Sequence, residues 1–154
     1  MMKKLLFPLV AMTIATNVLA ESNLDQAKLD TLTKIYHKSG INNPYGHLEK
    51  YVTPDFKKVI AKAKKHDKSE EDFDSLCLGG YTIYGAGQDW NPSQPKFKVA
   101  ADKVQMAAFR MKNDKSTKVT LKYSFECKDN QCLVSDFITE NGYSFKQSIA
   151  QCAM

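Results

Sequence analysis

Few side chains of this chain are placed to do chemistry. Asp136 and Tyr123 lie in two alternating segments, Tyr36 and His37 are neighbours on an amphipathic stretch, and cysteines stand at positions 77, 127, 132 and 152. If Cys127 sits opposite Cys132, antiparallel register sets Phe125 against Val134, Tyr123 against Asp136 and Leu121 against Ile138, all on the apolar face. Asp136 then points inward, where a carboxylate needs a hydrogen bond, a shifted pKa or a wet cavity. Its structural role would be a hydrogen bond to the Tyr123 hydroxyl or to a backbone amide. Its functional role would be acid or base in a cavity, with Tyr123, Tyr36 and His37 as partners. No nucleophile elbow, no His-Glu-x-x-His and no carboxylate pair of forced proximity accompanies it. The expectation is a protein that is not an enzyme, with no catalytic residues.

The cysteines admit two chemistries. The four-residue gap between Cys127 and Cys132 lies within the range of zinc sites, with His37, His47 or His66 as further ligands. There is no second tight pair, however, and the histidines are scattered, so the expectation is disulfides and no metal. Of three connectivities, Cys127 with Cys132 is preferred because Lys128-Asp129-Asn130-Gln131 reads as a hairpin turn. Cys77 then pairs with Cys152. Loop-closure entropy gives about 2 kcal/mol for the short bridge and about 4 to 5 kcal/mol for the long one. A Gly-x-Gly at Gly85 and Gly87 lacks the third glycine and the strand-to-helix setting of a nucleotide loop, and no cofactor is expected.

Paired cysteines suit an oxidising compartment, and residues 1–20 explain how the chain would reach one. Lys3 and Lys4 precede a mostly apolar stretch that ends in Val18-Leu19-Ala20, the pattern of a secretory signal peptide. Thr13, Thr16 and Asn17 dilute that stretch below what a membrane span needs. Residue 21 is Glu, which leaves no lipid-accepting cysteine. The expected product is a periplasmic domain over residues 21–154 with no membrane anchor after cleavage.

The elements that must position these residues follow from periodicity. Of the 154 residues, 43% are apolar and 25% charged, with only 7 Gly and 5 Pro, which excludes collagenous, low-complexity and wholly disordered chains. Leu24, Ala27, Leu29, Leu32, Ile35 and Tyr36 recur at helical spacing, with Ser22 and Asp25 as a capping box and Gly40 as the stop. After the Asn42-Asn43-Pro44 turn, a broken helical piece could set Leu48, Tyr51 and Val52 on one face, and Thr53-Pro54-Asp55 restarts the helix with a buried stripe of Phe56, Val59, Ile60 and Ala63. Residues 67–74 read as a polar loop, and 76–84 as weak structure. Strands are expected over 96–100, 103–111, 117–126 and 132–139, although 99–108 could be helical on propensity alone. No repeat occurs.

Charge says less about chemistry than about partners. Removing Lys3 and Lys4 from the 22 basic residues leaves a margin of three over the 17 acidic ones, too mild to argue for nucleic acid. Between Lys50 and Lys68, seven lysines face only Asp55 and Asp67, and Glu70, Glu71, Asp72 and Asp74 follow at once. This is either a solvated helix face with an acidic loop or a docking patch centred on Lys57, Lys58 and Lys62. Tyr81, Tyr84, Asp89 and Trp90 lie on a glycine-rich connector whose aromatics would anchor a protein partner.

Several strings resemble a known grouping. Leu32-Thr33-Lys34-Ile35-Tyr36 followed by Tyr51-Val52-Thr53-Pro54-Asp55-Phe56 is similar to the paired N-terminal helices of an uncharacterised family of small exported bacterial proteins, a domain of unknown function. Gln88-Asp89-Trp90 looks like its short Gln-Asp motif, and Cys132-Leu133-Val134-Ser135-Asp136-Phe137-Ile138 resembles its closing strand, with Cys132 where an aromatic is usual. The resemblance implies a cystatin-like or nuclear-transport-factor-like cone. Helices first and strands after lead independently to an α+β fold, N-terminal helices packed on a curved antiparallel sheet with two disulfides. The expected function is non-catalytic binding of a protein, for example by an immunity protein or inhibitor that neutralises an envelope-acting toxin. The alternatives are a small-ligand binder or enzyme using a cavity around Asp136, and attachment to anionic envelope material through the lysine-rich helix.

Overall fold

The apolar periodicity that begins at Leu24 belongs to one long helix. In the computed structural model, which describes residues 14–38, 47–79, 81–83, 85–86 and 91–154, α1 runs over Ile14–Lys38. It buries Leu32, Ile35 and Tyr36 at helical spacing. Ser22 is not its start: the helix passes through Ser22, because residues 14–20 hold neither Pro nor Gly and Ala15, Leu19 and Ala20 offset the weaker formers among them. Asp25 pairs with Lys28 at 3.0 Å within the helix.

The second helix, α2, spans Pro54–Asp67 with Pro at its first position, where a missing N–H is harmless. Phe56, Ile60 and Ala63 are buried, and Val59 packs against the core at half exposure. Thr53 is the N-cap residue, yet its hydroxyl donates to Asp55 Oδ1 at 2.6 Å instead of accepting from a backbone amide. A hydrogen bond from Lys146 Nζ, then that hydroxyl, holds the Asp55 carboxyl down to about 2 from 3.8. A carboxyl whose folded pKa is depressed stabilises the fold above its unfolded pKa, and that contribution is lost as pH falls through the folded value. Asp55→Asn is therefore expected to flatten the acid-unfolding curve between about pH 4 and pH 2. The effect at neutral pH is small, because the Asp55 side chain is 60% exposed and solvent screens the pair. Acid titration followed by circular dichroism checks this, and unchanged acid limbs would contradict it.

Strands β1 (Tyr81–Thr82) and β2 (Gly85–Ala86) form a short ladder of their own. The main sheet is antiparallel in the order β3 (Lys96–Ala100), β4 (Lys103–Phe109), β5 (Lys118–Lys128), β6 (Gln131–Ile138). The helical alternative over 99–108 is not adopted; Ala101 at φ 53° turns β3 into β4. Between β5 and β6, Asp129 and Asn130 both have positive φ, 51° and 60°, as a two-residue turn matched to strand twist requires.

The last helix, α3 (Phe145–Cys152), is absent from the sequence-based expectation. Its start is nonetheless written in the chain: Ser144 is N-cap and its hydroxyl accepts from the Gln147 amide at 3.0 Å. Helices α1 and α3 pack on β6, α1 also reaches β3, and α2 packs on α3. Val104, Met106, Val119, Leu121, Tyr123, Val134 and Phe137 meet them from the sheet. Aromatic rings cross this interface in an unbroken series, Phe56, Phe145, Phe137, Tyr123, Tyr36 and Phe97, with successive centroids 4.5 to 6.3 Å apart. The disulfides are Cys77–Cys152 and Cys127–Cys132.

Candidate functional site

The inward Asp136 expected from strict alternation does not occur. Ser124 faces Asp136 and Phe125 faces Val134, so Ser135 is an extra residue and a bulge interrupts the β5–β6 ladder. Tyr123 lies opposite Phe137, not Asp136. The physical reason is local: without the bulge, β6 would bury a carboxylate and expose a phenylalanine, and one unpaired residue reverses both. Asp136 instead serves α3. Its Oδ1 accepts from the amides of Phe137 (2.8 Å) and Lys146 (3.0 Å), and its Oδ2 accepts from the Ser144 hydroxyl (2.6 Å). A carboxylate at a helix N-terminus also meets the positive end of the dipole.

Removing three hydrogen bonds to one part-buried carboxylate is costly. Asp136→Ala is expected to destabilise the fold by on the order of 3 kcal/mol, and Asp136→Asn, which keeps an acceptor, by about half as much. Urea unfolding checks both. Unchanged midpoints would contradict the capping role.

The phenols expected beside Asp136 find each other. Tyr36 and Tyr123 hydroxyls lie 2.7 Å apart in the core, and the Ile83 carbonyl accepts from the Tyr36 hydroxyl. The side chains of His37 and Tyr81 and the whole of Tyr84, Asp89 and Trp90 lie outside the described residues. The constellation of Asp136, Tyr123 and Tyr36 therefore divides into a helix cap and a buried phenol pair, which register counting alone does not reveal.

Two surfaces remain. The first is α2, where Lys57, Lys58, Lys62 and Lys65 are exposed. Among the described residues none of the four has an acidic partner at ion-pair distance, and the nearby acids are engaged elsewhere: Asp55 with Lys146, Glu49 with Lys64 at 2.8 Å, and Asp67 with the Cys77 and Leu78 amides. Lys58, Lys62 and Lys65 recur at i, i+4 and i+7, so they share one stripe.

The second is an open groove of about 680 Å³ between α1, residues 50–51 and the β5–β6 turn. Asn23, Gln26, Asn130 and Gln131 bring four carboxamides to it, with Asp30, Lys34 and Lys50 as its charged groups. Its floor is fixed by hydrogen bonds: the Thr31 hydroxyl donates to the Cys132 carbonyl at 2.8 Å, and Val134 exchanges bonds with Tyr51 and Thr53. Residues 51–53 thereby cover the edge of β6 at Val134. Sequence spacing missed this groove, because its walls come from three segments distant in the chain.

Comparison with known proteins finds no matching family model, no matching curated protein and no matching solved structure. Among the described residues no helix is long and apolar enough to cross a membrane.

Proposed function

We propose that this chain is an exported periplasmic binding protein without catalytic activity, freed of residues 1–20, whose partner is a protein with an acidic face. The observation that carries this reading is the stripe of exposed lysines on α2, which have no ion-pair partner among the described residues. Such a stripe attracts an acidic surface over about a Debye length and fixes its register on contact. Tyr81, Tyr84 and Trp90, on the connector that precedes β3, supply aromatic anchors for the partner in this proposal, with Asp89 beside them as a polar contact. An immunity protein or inhibitor of an envelope-acting toxin works in this way, by occupying a surface. The family of small exported proteins and the cone architecture suggested by the sequence belong to the same proposal.

Reversing Lys57, Lys58 and Lys62 to Glu is expected to weaken the complex on the order of 100-fold. The unfolding midpoint should stay unchanged, since all three side chains are exposed. Binding titrations at low and moderate salt check this. Equal affinities for the two proteins would place the partner elsewhere.

The carboxamide-lined groove favours a second reading, a small polar ligand whose hydroxyls or amides pair with Asn23, Gln26, Asn130 and Gln131. Such a ligand would bind the charge-reversed variant and the wild type alike.

A further inference from the structure

The end of α2 gathers residues that lie far apart in sequence or on different elements. His66 and Asp67 close α2, Cys77 lies in the segment that follows, and Cys152 closes α3. His66 Nδ1 is 3.5 Å from Cys77 Sγ and 3.5 Å from Asp67 Oδ1. One donor atom from each of the three falls within 4.8 Å of the others, and Cys152, bonded to Cys77, brings a fourth. A tetrahedral zinc site, with bonds of about 2.3 Å to sulfur and 2.0 Å to nitrogen or oxygen, has edges of about 3.3 to 3.8 Å. The His66 distances already match such edges. For Cys152 to become the fourth ligand, the two bonded sulfurs have to separate.

We propose that in the thiol form, with the Cys77–Cys152 bridge reduced, Cys77, Cys152, His66 and Asp67 bind one Zn²⁺. The surroundings support each ligand. Asp67 accepts from the amides of Cys77 at 2.7 Å and Leu78 at 2.9 Å, which orient its carboxylate and leave lone pairs for a metal. Glu70 Oε1 lies 3.8 Å from His66 Nε2, the side on which a metal-bound imidazole keeps its N–H and a carboxylate orients the ring. A small-molecule thiol reductant delivers two hydrogens to the bridge and leaves as its own disulfide. Zn²⁺ then displaces the two thiol protons to solvent. The metal holds the end of α3 against α2 when the covalent bridge does not.

The Cys127→Ser/Cys132→Ser variant, which retains the long bridge, isolates this site for a test. After anaerobic reduction, Co²⁺ titration is expected to saturate at one equivalent with tetrahedral ligand-field bands and thiolate charge-transfer absorption, both removed by Zn²⁺. The oxidised protein should give neither. Zn²⁺ should also protect both thiols from alkylation and raise the unfolding midpoint of the reduced protein. His66→Ala in the same background is expected to bind Zn²⁺ about 100-fold more weakly. Equal affinities with and without His66 would overturn the proposal, leaving chelation by two cysteines. So would unprotected thiols in a reduced protein that circular dichroism shows to be folded. If the reduced chain is unfolded without metal, failure of Zn²⁺ to refold it overturns the proposal as well.

Discussion

Replacing Cys77 and Cys152 together by serine is expected to destabilise the oxidised protein by about 4 to 5 kcal/mol. The bridge spans a sequence separation of 75 residues, so its loss returns a large loop entropy to the unfolded chain. It also ties the last turn of α3 to the segment that follows α2, and α3 carries Phe145 and Ile149 into the core. A loss of that size lowers the unfolding midpoint by about 15 °C for a chain of this length. The Cys127→Ser/Cys132→Ser variant should lose only about 2 kcal/mol, because its bridge spans a separation of 5 residues in a turn already shaped by Asp129 and Asn130. Denaturant unfolding of both variants checks the pair. A long-bridge variant no less stable than the short-bridge one would contradict this account of what holds α3.

Phe137→Ala is expected to cost about 3 to 5 kcal/mol, near the top of the range for a single core truncation. Phe137 is 1% exposed, stacks on Phe145 at a centroid distance of 4.5 Å and lies 5.1 Å from Tyr123. It therefore joins α3 to the sheet, and its removal leaves a cavity where three elements meet. Ile138, the core residue under strict alternation, is half-buried, and Ile138→Ala should cost about 1 to 2 kcal/mol. The difference between the two measures the bulge at Ser135. A larger loss for Ile138 than for Phe137 would mean that β6 pairs in the unbulged register.

Strand β5 was legible because its alternation is clean. Val119, Leu121 and Tyr123 are buried as read, and the turn at Asp129-Asn130 sits where the cysteine pair required it. What alternation could not supply was the break at Ser135, although the chain carries a sign of it. A strand that would bury Asp136 and expose Phe137 is more stable with one residue out of step. The helix α3 was missed although Ser144-x-x-Gln147 marks its start, because eight residues give a weak periodic signal. Helix α1 begins earlier than Ser22 because residues 14–20 hold no Pro or Gly to stop it, and a cap residue alone does not force a start.

The sites divide along the same line. Lys57, Lys58 and Lys62 were readable as an exposed row, since helical spacing alone separates them from the Phe56, Ile60 and Ala63 stripe. The carboxamide groove and the approach of His66 to Cys77 were not, because each depends on which distant elements pack together. Asp136 was readable as unusual but not as a cap. Its meaning rests on Ser144 and Lys146, which belong to a helix the sequence announced faintly.

Docking of an acidic protein partner on the α2 lysines is tested most directly by affinity capture of the tagged protein from an extract of the cells that produce it. Mass spectrometry identifies what is retained by wild type and by the Lys57→Glu/Lys58→Glu/Lys62→Glu variant. One stoichiometric acidic protein retained by wild type at moderate salt and lost from the folded variant is the expected result. Retention of the same protein by both would contradict docking on α2, and no retained protein at either low or moderate salt would contradict the binding function itself.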